Sequence, residues 1–110
     1  MKKAKAAKRR AKRYPKLPAE VQGAGGAIAV RLLAKMDGAP DEDVMGQFDP
    51  QRRTIDVRAD LRGDQQWMVL FHELAHAALW DCGAHNALAG PSEEIVCDAI
   101  ATARLRERFG

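Results

Sequence analysis

The sequence predicts an α+β fold: a small, mostly antiparallel three-stranded sheet packed on one buried helix and a C-terminal helix. Three observations carry this. Short strand-like segments occupy the first half, at Ala27 to Leu33, Val44 to Phe48 and Arg53 to Arg58. Two long helical patterns occupy the second half, over about residues 65–80 and 91–108. A length of 110 residues admits one hydrophobic core of modest size, and so one domain.

Residues 1–16 hold nine Lys or Arg and no acid, with alanines but almost no larger apolar side chain between them. Self-repulsion without burial predicts a disordered basic arm, and phosphate-bearing nucleic acid or another acidic surface is its candidate partner; the plain alternative is a solubilising tail. Removing the arm leaves nine cations against fifteen acids in residues 17–110, the predicted domain. The net charge of +3 therefore belongs to the arm.

After the Gly-rich stretch Gly23 to Gly26, the run Ala27-Ile28-Ala29-Val30-Arg31-Leu32-Leu33 reads as a first strand. The acidic, Pro-containing residues 37–43 predict a loop. Val44 to Phe48 and Arg53 to Arg58 flank Asp49-Pro50-Gln51-Arg52 as a hairpin, with Thr54, Ile55 and Val57 supplying β-branched bias. Asp64 is a candidate N-cap for a helix from Gln65 to Trp80 that is apolar on nearly every face and so must be central. Gly83 suits the left-handed position that ends it. The last helix, from Pro91 or Ser92 to Arg108, is expected to bury Ile95, Val96, Ala99, Ile100, Ala103 and Leu105. Arg104, Arg106 and Arg108 complement its C-terminal dipole.

Two cysteines outside any Cys-x-x-Cys pair form no disulfide framework, so free thiols in a reducing compartment are expected. No run of 18 apolar residues exists, and the basic N-terminus is followed by no apolar signal core. The expectation is a cytoplasmic protein with no membrane partner.

Inside the buried helix stands His72-Glu73-Leu74-Ala75-His76, an H-E-x-x-H pattern. At 100° per residue the two histidines differ by about 40° around the axis and about 6 Å along it, so both imidazoles can address one cation. Glu73 lies about 100° away, too far round to chelate with them, yet within reach of a water at the metal, as a base. An accidental match on a surface helix is the alternative. Against it, two imidazoles and a carboxylate on an apolar helix each cost roughly 2–7 kcal/mol of desolvation, more if charged, unless a ligand such as Zn2+ satisfies them.

A third ligand must come from downstream. Cys82 has the six-residue spacing after His76 of H-E-x-x-H-x-x-G-x-x-H sites, but Leu79 stands where those need Gly. His85 could ligate, contact substrate or an oxyanion, or sit at the surface. Glu94 and Asp98 share one face of the last helix: Glu94 completes a His, His, Glu shell, and Asp98 accepts the outer N–H of a ligand histidine. Glu93 stays open as the ligand, one residue out of phase. Dipole complementation at the helix start is the alternative role for the acids.

The segments HELAHAALW and EEIVCDAIA resemble the gluzincin class of zinc metallopeptidases, in particular the ImmA/IrrE-like group of small phage and mobile-element proteins. Glu94 to Asp98 matches the E-x-x-x-D that accompanies H-E-x-x-H in that class, and the likeness spans roughly Leu17 to Ala103. It implies a minimal zincin-like domain hydrolysing amide bonds in a protein or peptide, with His72, His76 and Glu94 on zinc and Glu73 as base. The substrate would add as a strand along an exposed sheet edge, for which Arg53, Thr54, Ile55, Asp56, Val57 and Arg58 are the candidate segment. The rival expectation is a non-catalytic accessory factor that keeps zinc structurally and binds nucleic acid or protein.

Overall fold

The computed structural model of the chain describes residues 14–34 and 44–110. The predicted arm up to residue 13 and the predicted loop at 37–43 lie outside these residues. Four strands, β1 (Glu20–Gly23), β2 (Gly26–Leu33), β3 (Gly46–Asp49) and β4 (Thr54–Arg58), precede helix α1 (Gly63–Asp81), a 3-10 turn at Ala84–Ala87 and helix α2 (Gly90–Phe109). The class is α+β, as predicted, with one sheet and two helices.

The sheet has four strands rather than three, in the order β1-β2-β4-β3, and it is mixed. β1 and β2 form an antiparallel hairpin in which Gly23 pairs with Gly26. The Gly-rich stretch forms its turn, and β1, with Val21 its one strong strand former, is too short to show a pattern. The predicted β3–β4 hairpin is present, with Phe48 opposite Ile55. Asp49 Oδ1 accepts the Gln51 and Arg52 backbone N–H groups across its turn.

β4 is not an edge. It pairs in parallel with β2 on one side and antiparallel with β3 on the other, which overturns the assignment of Arg53 to Arg58 as an exposed docking strand. Ile55, Asp56 and Val57 are all buried, in keeping with a central strand flanked on both sides. Ile55 and Val57 face the core, while Asp56 is held by a bidentate pair with Arg31 at 2.8 and 2.9 Å. The edges of the sheet are β1 and β3.

α1 supplies most of the core: Trp67, Leu70, Phe71, Leu74 and Ala77 pack on Ile28, Ile55 and Val57. Its N-cap is Arg62 rather than Asp64; the Gln65 side-chain carbonyl accepts the Arg62 backbone N–H, and Asp64 lies in the first turn. Gly83 ends the helix at φ 81°, the left-handed conformation expected of it.

α2 packs in a different phase from that predicted. Cys97 and Ala101 are fully buried, and Ile95 is 69% exposed and Ile100 37%. Close approach of α2 to α1 selects the small side chains for the contact and turns the two isoleucines outward.

Tyr14 and Pro15, assigned above to the arm, belong to the packed domain. The Tyr14 ring meets Phe109 edge-on at 4.7 Å, and Trp67 Nε1–H donates to the Pro15 carbonyl at 2.8 Å. Among the described residues no helix is long and apolar enough to cross a membrane.

Candidate metal centre and its cleft

His72 and His76 are one turn apart on α1, and the backbone periodicity alone brings their rings together, at 4.8 Å between centroids. Their Nε2 atoms stand 3.1 Å apart. α2 crosses this face with Glu94, whose two oxygens bracket the pair: Oε1 is 3.0 Å from His72 Nε2, and Oε2 is 2.9 Å from His76 Nε2.

The outer ring nitrogens have their own carboxylates. Asp98 Oδ1 is 2.8 Å from His72 Nδ1, the contact predicted for it, and Glu93 Oε2 is 2.6 Å from His76 Nδ1. Glu93 therefore sits behind a histidine and not at the convergence point. An Nδ1–H donated to each carboxylate leaves two Nε2 lone pairs and a carboxylate facing one another. Acceptors packed this closely need a cation between them, either a proton on each ring or one shared ion.

Tetrahedral zinc with ligands at about 2.0–2.1 Å places neighbouring donor atoms about 3.3 Å apart. The three separations of 2.9–3.1 Å, two of which run to different oxygens of Glu94, are hydrogen-bond distances a little below that figure. The donor set is imidazole, imidazole and carboxylate, which suits zinc.

Glu73 is 8% exposed, and its carboxylate lies within 4.8 Å of the histidine ligand atoms. Burial pushes it above the ordinary carboxylate range, against the pull of His76 and His72 and of the Phe48 backbone N–H that it accepts. His76 is raised in turn: burial works against its charge, but the bond to Glu93 and the fields of Glu73 and Glu94 prevail. A second set of donor atoms, on His76, Glu93 and Cys97, also clusters. Cys97 is completely buried between the helices, and burial with four acids nearby pushes its thiol up to about 12, so it packs as a neutral side chain.

A cleft opens on both sides of Glu73. One arm is lined by Met45, Gly46, Met68 and Val69 beside His72. The other is lined by Phe48, Pro50, Trp80 and His85 beside His76. The β3 edge thus runs along the whole opening. Gly46 is required there, since a Cβ would stand 2.3 Å from Val69 Cγ1 and 3.0 Å from the Asp56 carbonyl.

His85 stacks on Trp80 at 4.3 Å with 22° between the rings, and its Nδ1 is buried with no partner. Cys82, exposed at the end of α1, donates its thiol to the Leu79 carbonyl. Three features escaped the sequence: Glu93 behind His76, the Phe48 amide on Glu73, and the Trp80–His85 stack. The last follows from the tight turn at Gly83, whose glycine was the available signal. Comparison of the chain with protein-family models, with curated proteins and with solved structures finds no match.

Proposed function

We propose that the protein is a zinc-dependent hydrolase of amide bonds in a protein or peptide, built as a minimal zincin-like domain. The observation that carries this reading is the convergence of His72 Nε2, His76 Nε2 and the Glu94 carboxylate within 3.1 Å of one another. His72, His76 and Glu94 would hold the metal, with Asp98 and Glu93 fixing both rings in the tautomer that turns Nε2 inward. When bound, zinc supplies Lewis acidity to a water and to the substrate carbonyl.

Glu73 supplies the proton chemistry. Its burial raises its pKa, which suits a group that must take a proton from water and give it to the departing amine. The substrate backbone is assigned to the β3 edge, Gly46–Asp49, the strand that lines the cleft. His85, with one buried ring nitrogen and stacked on Trp80, is the candidate donor to the oxyanion.

The test is Glu73→Gln. The variant should retain one equivalent of zinc and lose about 10²–10⁴-fold of its activity against an unfolded protein substrate. Unchanged hydrolysis by the variant, or a wild-type protein that binds no zinc, would overturn the proposal.

A further inference from the structure

Charge is distributed along α2 in two halves. Its first half carries Glu93, Glu94 and Asp98 at the cleft; its last six residues hold Arg104, Arg106 and Arg108 against the single acid Glu107. Arg104 and Arg108, four residues apart, share a face. The Arg104 guanidinium lies 4.7 Å over the Phe71 ring, and that of Arg108 lies 5.4 Å over Trp67 and 5.6 Å over Phe109. Stacking on rings fixes these cations without occupying their in-plane N–H groups. Among the described residues neither forms an ion pair.

The two rings beneath Arg108 are the ones that hold the start of the described chain. Phe109 packs on Tyr14, and Trp67 donates to Pro15. Residues 1–13, with eight Lys and Arg and no acid, therefore join the domain beside Arg108, and exposed Lys16 follows directly. Dipole complementation accounts for cations at a helix C-terminus, but not for the attachment of a basic segment at the same place. Nearby, Arg62 and Asp64 neutralise each other.

We propose that this end of the molecule is a nucleic-acid docking surface formed by Arg104, Arg108 and Lys16, at the point where the basic N-terminal sequence joins the domain. Phosphate is favoured over a bilayer because residues 1–13 contain no aromatic or branched apolar side chain to insert. Guanidinium forks match phosphate oxygens, and recognition on this basis is independent of base sequence. The proposal does not depend on the chemistry of the cleft.

The full-length chain, titrated with salt in the presence of a fluorescent random-sequence DNA duplex, should show log K falling linearly with log salt concentration. Arg104→Gln with Arg108→Gln should reduce that slope by about 2, one unit per lost phosphate contact, whereas the paired Arg→Lys changes should retain it. Arg52→Gln, on the β3–β4 turn at the far end of α1, should leave it unchanged. In a Trp80→Phe chain, saturating duplex should alter the emission of Trp67. A wild-type slope in the double Gln variant, an unperturbed Trp67, or tighter binding to phosphatidylserine vesicles than to duplex would each overturn the proposal.

Discussion

His72 and His76 carry the same side chain in unequal settings. Both are about one-sixth exposed, but the carboxylate behind His76, Glu93, is 17% exposed, while the one behind His72, Asp98, is 67% exposed. A solvated carboxylate orients a ring less firmly than an enclosed one. If the histidines hold zinc, Asp98→Asn should weaken binding toward the low end of the roughly 10–100-fold expected for such partners, and Glu93→Gln toward the high end. Competition with a chromogenic chelator measures both; equal affinities in the two variants and the wild type would show that neither carboxylate tunes the site.

The elements are tied together at points remote from the cleft. Asp81, the last residue of α1, receives a bidentate pair from Arg53 and the Gly25 backbone N–H, so it joins both hairpin turns to the helix end. Arg53, at φ 55°, is held in the left-handed region by this pair and by its bond to the Gly26 carbonyl. The Arg53 bond and the Gly25 amide hold the Asp81 carboxyl below its usual value. A depressed folded pKa gives stability that is present above the unfolded pKa of about 3.9 and lost as pH falls through the folded value. Asp81→Asn should cost about 2 kcal/mol at neutral pH, by urea denaturation, as expected for hydrogen bonds to a charged group, and the gap to wild type should narrow as pH falls below the unfolded value. What the sequence discloses of these elements follows the range of the forces. The His72/His76 pair and the Glu94/Asp98 pair were legible because helix geometry is local. The phase of α2 was not: hydropathy ranks Ile95 and Ile100 above Cys97 and Ala101, whereas helix contact ranks them by size. The central position of β4 was hidden too, since it depends on pairing with β2, which no nearby residue announces.

In the whole molecule the candidate site links the helices to one another more than to the sheet. A chain of 110 residues buries a limited core, so a ligand gripped from both helices would contribute heavily to stability. At a free zinc concentration about 100 times Kd the contribution is about 2.7 kcal/mol, and stripping the metal with a chelator should lower Tm by about 10–20 °C. Glu73→Gln should show the same drop, because Glu73 is not assigned to the metal; a Tm indifferent to chelator would remove the helix-linking role. The parallel register of β2 with β4 has a consequence for how the chain is made. Arg31 and Asp56 are 25 positions apart, and closing that span costs entropy before any contact rewards it. During synthesis from the N-terminus, Ile28 must wait in solvent until β4 emerges, and longer for the helix that covers it. The nascent β1–β2 hairpin is thus open to wrong association on the ribosome until the rest of the sheet and its covering helix have been made.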